Sequence, residues 1–188
     1  MPHIRILGLI VLGVLMVATL HPQLEAEDKP AAASAAPLAE VVTRNRVQLN
    51  LAGAELIIAA ARTKAELLKL KLNIAVVDDG GHLLAFARMD GARPASGYTA
   101  LTKATTAATF RQETGPAPKG EPDLLLSLSL QNAAQASGGK LTTLKGGVPV
   151  IVDGQVIGAV GIGGGTGEQD AEVAKVGIQA LLDRLTTK

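Results

Sequence analysis

No cysteine occurs among the 188 residues. That excludes a disulfide scaffold, a thiolate metal site and a cysteine nucleophile within this chain. Aromatic residues are nearly missing too: two Phe, one Tyr and no Trp. A base-stacking nucleic-acid platform needs such rings, so that class is excluded, and the core must be built from Ala, Val, Leu and Ile. Charge of one sign is also lacking. With a net charge of +1, no field is available to hold nucleic acid or an anionic membrane surface. What is present is a 47% hydrophobic composition with 19% charged residues, which is globular rather than disordered. The length suits one domain of ordinary size with a short appendage.

The N-terminus supplies the appendage. Arg5 precedes an uncharged apolar run of 15 residues, Ile6 to Leu20, and Leu24-Glu25-Ala26 ends in a small residue. A spanning helix needs about 20 residues, whereas a signal core needs only about 7–15. Residues 1–26 are therefore expected to be a secretory signal peptide, with an uncleaved anchor as the rival reading. Export places the mature chain in the periplasm or outside the cell, with no membrane insertion once the signal is removed. Residues 27–40 are rich in Ala and Pro and read as a linker. The folded domain is expected over 41–188.

Along that domain, Asn50 is placed to cap a helix from Leu51 to about Leu70, with Leu51, Ala54, Ile58, Ala61, Ala65, Leu68 and Leu72 on its buried face. Ile74–Val77 and His82–Arg88 read as strands joined by Asp78-Asp79-Gly80-Gly81, a tight-turn signal. Ser96 is a plausible cap for a threonine-rich helix from about Gly97 to Arg111. Asp123–Leu130 reads as a weak helix and Lys140–Leu144 as a strand. Asp153-Gly154 between VPVIV and QVIGAVGI is the strongest hairpin signal in the chain. A last helix is expected over about Glu168 to Leu185, capped by Thr166 or Gly167. The order implies an α/β (α+β) fold. It is profilin-like in outline, with a mostly antiparallel five-stranded sheet flanked by helices.

Few side chains are available for chemistry. Of His3, His21 and His82, cleavage at Ala26 leaves only His82, so a three-histidine zinc site cannot form within one mature chain. His82 is thus the candidate metal ligand. GIGGGTG over Gly161–Gly167 looks like a nucleotide loop but places Thr166 where the third glycine of G-x-G-x-x-G belongs. Two readings stay open for it: glycines that let a helix pack closely, or an anion or ligand loop made by Gly164, Gly165, Thr166 and Glu168. On the threonine-rich helix, Lys103, Thr106 and Arg111 are candidate ligand-facing groups.

Four segments together, AVVDDGGHLLAFARMDGA, KATTAA, GGVPVIVDGQVIGAVGI and GGTGEQD, resemble the haem-degrading domain family, also called GlcG/HbpS-like. The resemblance spans about Leu49 to Leu182. It implies a profilin-like domain that assembles into homo-oligomers, up to octamers, and an exported branch that binds haem, in some members degrading it. It also implies a membrane sensor as a partner in one exported group, and association with glycolate use or corrinoid adenosyltransferases in others. The threonine of the family's K-A-x-T-A pattern, tied by the resemblance to haem binding, is Thr106 here, with Lys103 three residues before it. Gly163 stands where members carry a serine. Ordinary haem-iron ligands are His, Cys, Met and Tyr, so the candidates are His82, Met89 and Tyr98. Lys103, Arg88, Arg93 and Arg111 are the cations available to haem propionates. Three functions follow as alternatives: an exported haem- or iron-binding protein, a non-catalytic oligomeric interaction or sensor-accessory module, and a small-acid (glycolate-type) or corrinoid-pathway accessory domain.

Overall fold

The computed structural model describes residues 45–116, Glu121 and 123–187. The expected signal peptide and linker lie outside the described residues.

Helix α1 (Leu51–Leu67) begins where Asn50 accepts a hydrogen bond from Gly53 N–H at 2.9 Å. It stops three residues short of the expected end. Lys69 adopts φ 55°, and Lys69 and Leu70 N–H turn back to the carbonyls of Glu66 and Ala65, which satisfies the last turn. The buried stripe is Ala54, Ile57, Ala61 and Ala65, so Leu51, expected inside, is 53% exposed.

Strands β1 (Asn73–Asp78) and β2 (Leu83–Arg88) form the first hairpin. Strands β3 (Gly147–Val152) and β4 (Gln155–Gly163) form the second. Both turns were legible for a physical reason. Asp78 Oδ1 accepts from the N–H groups of Gly80 and His82, and Asp153 and Gly154 take φ 50° and 72°, the left-handed pair a two-residue hairpin needs. The sheet order is β2-β1-β4-β3, all antiparallel.

Four strands are therefore present among the described residues, where five were expected. The missing one is Lys140–Leu144. The N–H groups of Lys140, Thr142 and Leu144 are bonded to the hydroxyls of Ser137, Thr106 and Thr142, so side chains have taken the donors that a ladder would use.

Helix α2 (Ser96–Phe110) covers one face of the sheet. Helix α1 and helix α4 (Gly167–Thr186) cover the other. Alternation along the strands divides the core. Ile74, Val76, Val160 and Ile162 point to α1 and α4, whereas Ala75, Val77 and Ala159 meet Ala100, Ala104, Ala107 and Ala108 of α2. Glycines set how close α2 comes. A Cβ at Gly161 would fall on the Ala100 carbonyl oxygen, and one at Gly163 on that of Ser96. Ser96, expected to cap α2, is its first residue instead. Its hydroxyl accepts from Arg93 Nε at 2.9 Å.

Helix α3 (Leu124–Ala136) is capped by Asp123 and runs six residues past its expected end. Gln131 to Ala136 are tolerable helix formers, and the stop comes only at Ser137-Gly138-Gly139, where both glycines take positive φ. None of its side chains is buried. For α4, Thr166 and Gln169 exchange the paired bonds of a capping box.

Candidate functional site: the groove between β2 and α2

The four-stranded sheet is wider than one helix. Helix α2 lies over β1, β4 and β3, so the same face of edge strand β2 is left uncovered. On that face, Val77, Ala75 and Asn73 are registered with Leu83, Phe86 and Arg88. Across from them, α2 presents Tyr98 and Leu101, and the result is a groove with two lobes that share Leu83, Tyr98 and Leu101.

The first lobe has a volume near 380 Å³ and is bounded by His82, Thr102, Thr105, Gly139 and Lys140 as well as the shared residues. The His82 side chain is 83% exposed, and its Nδ1 lies 3.3 Å from Asp78 Oδ1. The same oxygen accepts the His82 backbone N–H at 2.8 Å, so the carboxylate fixes the turn and lies beside the ring. Thr105 Oγ1 donates to Gly81 carbonyl at 3.1 Å and ties α2 to the turn that carries the histidine. The ring's Nε2 is the nitrogen left for a ligand. The second lobe is larger, near 580 Å³, and runs over Phe86, Pro94 and Gly97 to Asn73 and Arg88. Both are of a size that accommodates small molecules.

The remaining sequence candidates fall elsewhere. Lys103 points inward. Its side chain is 6% exposed, its Nζ lies 2.6 Å from Asp170 Oδ2 and donates to Ile162 carbonyl at 2.8 Å. It is a core ion pair rather than a group facing a ligand. Thr106 is also engaged on both sides, since its hydroxyl donates to Thr102 carbonyl and accepts Thr142 N–H. The cavity beside it, lined by Phe110, Thr114, Leu130 and Leu141, measures about 30 Å³, which suits a water molecule and not a macrocycle. Met89 is buried in the larger core. Arg111 is exposed at the left-handed end of α2. Tyr98 joins His82 in the first lobe, and Arg88, one of the candidate cations, lines the second.

The proposed anion loop is spent internally. Gly165 N–H goes to Asp170 Oδ1, Thr166 N–H to Gln169 Oε1 and Gln169 N–H to Thr166 Oγ1. Gly164 takes φ 129° where the chain passes the Lys71 carbonyl. Glu168 pairs with Lys145 at 3.2 Å. Backbone hydrogen bonding at the helix start, then Lys145, holds its carboxyl below the ordinary value. Burial pushes the Asp170 carboxyl up, against the pull of Lys103.

Sequence reasoning missed Asn73 and Lys140 in the groove, and Asp170 as the partner of Lys103 in the core. A polar residue opening the apolar strand Asn73-Ile74-Ala75-Val76-Val77 was the available signal for the first. Among the described residues, no group of three or more side chains is arranged to hold a metal, and no helix is long and apolar enough to cross a membrane.

Comparison with known proteins agrees with this fold. Protein GlcG of Escherichia coli (strain K12) is 45% identical over 119 residues, covering 63% of this chain and 84% of the relative. A double mutant of Streptomyces reticuli HbpS superposes with TM-score 0.62 at 30% identity, over 81% of this chain and 99% of the other. A PduOC:haem complex superposes with TM-score 0.58 at 26% identity, over 71% and 95%. The profile described as haem degrading protein HbpS-like matches residues 49–179, and the chain belongs to that family.

Proposed function

We propose that the protein is an exported haem-binding protein that works as an assembly of identical chains and takes its ligand in the His82 lobe of the β2–α2 groove. The observation that carries the reading is His82 itself. It is an exposed imidazole, backed at Nδ1 by Asp78, at the edge of an apolar lobe. An exposed histidine with a carboxylate near its second nitrogen leaves Nε2 for an iron and places a carboxylate where it could orient the ring.

The residues present fit the group. His82 would hold the iron, with Tyr98 the other ordinary ligand type in the lobe. Leu83 and Leu101 offer apolar surface for a macrocycle face, and Lys140 is the cation placed for a propionate. Bound haem would supply the redox-active iron that side chains lack. The chain's contribution is to orient the imidazole and to exclude water from one face. Family membership and the likeness to a haem complex support the reading. Export rests on Arg5, the Ile6–Leu20 run and Ala26.

The test is a haemin titration of the full chain followed at the Soret band, with His82→Ala and Thr106→Val alongside. We expect a saturable shift, about tenfold or more weaker in His82→Ala and unchanged in Thr106→Val. A parent with no saturable shift overturns the haem reading. Equal binding by His82→Ala overturns the site.

A further inference from the structure

We infer that the second lobe of the groove, which adjoins the first through Leu83, Tyr98 and Leu101, is a site for a small neutral aromatic ligand bearing one hydrogen-bond donor, a phenol in chemical class. This goes beyond the haem reading and does not depend on His82.

The inference starts from Asn73. Its side chain is fully buried, and Nδ2 donates to Arg93 carbonyl at 3.0 Å. That bond fixes the amide, because a flipped amide would set two oxygens against each other. Oδ1 is then left as a buried acceptor with no partner among the described residues. Unsatisfied buried acceptors are rare enough to demand a reason. This one belongs to a residue lining the floor of a 580 Å³ apolar lobe.

What separates Oδ1 from the lobe is small. A Cβ added at Gly97 would stand 3.4 Å from Phe86 Cζ and 3.6 Å from Asn73 Oδ1. Glycine at this position therefore keeps open the space between the Phe86 ring and the acceptor. Phe86 lies on an edge strand and is itself 44% exposed, so its ring can turn aside without disturbing the core. A donor entering there reaches Oδ1.

The walls select the rest of the ligand. Phe86, Tyr98, Leu101 and Pro94 present flat apolar surface, which suits an aromatic body. Arg88 is the only charged residue lining the lobe, so an ammonium donor is disfavoured and a hydroxyl favoured. Sites built around a buried hydrogen-bonding group discriminate strongly against an analogue lacking its partner.

The experiment is a titration of the full chain, without haemin, with p-cresol and with 4-methylanisole, its methylated counterpart, followed by ligand-observed NMR. Gly97→Ala and His82→Ala are titrated in parallel. We expect saturable p-cresol binding, at least about tenfold tighter than 4-methylanisole, weakened by a similar factor in Gly97→Ala and kept in His82→Ala. The Gly97→Ala change meets only ordinary contact distances, so the fold survives it, and the cresol–anisole comparison needs no variant. No saturable p-cresol binding, equal affinity for the two ligands, or parent-like binding by Gly97→Ala overturns the proposal. None of these results bears on haemin binding, which is read separately at His82.

Discussion

Lys103 Nζ and Asp170 Oδ2 lie 2.6 Å apart with both side chains out of water, and this bond joins α2 to the first turn of α4 across the end of β4. Asp170 Oδ1 also receives Gly165 N–H, so the carboxylate organises the loop between sheet and helix. Breaking such a pair leaves the surviving charge buried and uncompensated, which typically costs about 3–5 kcal/mol. Lys103→Met is expected to lower the unfolding free energy obtained from urea denaturation by that amount. Lys103→Met with Asp170→Asn is expected to recover part of it, because neither charge then remains and the amide oxygen can still accept Gly165 N–H. A single variant as stable as the parent would contradict the arrangement.

The same pair gives a pH dependence. Burial raises the Asp170 carboxyl above its ordinary value of 3.8. The folded chain then binds that proton more tightly than the unfolded chain. The group's stabilising contribution is complete below pH 3.8 and fades as pH rises through the raised value. Glu168, two residues away, behaves oppositely. Its carboxyl is held below 4.5, so its contribution is present above pH 4.5 and lost on acidification. Calorimetric Tm values across pH 3 to 7 check both. The gap between parent and Asp170→Asn should move in the parent's favour as pH falls, and the gap for Glu168→Gln against it.

The closeness of α2 to the sheet rests on absent side chains. Gly161→Ala would drive a methyl into the Ala100 carbonyl, and Gly163→Ala into that of Ser96. Neither backbone can yield alone, since each lies in a packed helix or a central strand. We expect each variant to lose about 3 kcal/mol, at the upper end of ordinary overpacking, measured by chemical denaturation. Parent-like stability in both would mean that α2 rides higher on the sheet.

Much of this fold was legible because local chemistry and tertiary packing agree. Asp153-Gly154 demands two left-handed residues, Asn50 caps where a helix must start, and Thr166 stands at one of the two positions expected to cap the last helix. The sequence misled where a residue's role is set by distant partners. Lys103 reads as a ligand-facing group until Asp170, 67 residues later, is seen to meet it. Thr106 reads as a ligand hydroxyl until Thr142 N–H takes its lone pair, and that same bond removes the expected fifth strand. The glycine run near Gly164 resembled an anion site because nothing local shows that Asp170 and Gln169 fold back onto its N–H groups. The groove itself was invisible for the same reason. It exists because a four-strand sheet outgrows a single helix, and no short motif encodes that width.

Helix α3 supplies the last expectation. It contains no charged residue from Leu124 to Ala136, yet Leu124, Leu125, Leu126 and Leu128 are exposed, Leu125 at 76%. Leu124, Leu125 and Leu128 share one side of the helix and form an apolar patch of the kind that marks association. A second copy of the same helix is the occupant that an uncharged surface admits without unpaired charge. Light scattering after size exclusion should therefore give the parent chain a mass of several subunits at micromolar concentration. Leu125→Glu with Leu128→Glu should shift it to the single-chain mass. Because no α3 side chain is buried in the monomer, the double variant should keep its helical signal, which separates lost assembly from lost folding. A parent that runs as a monomer, or a variant that stays assembled, would move the association to another surface.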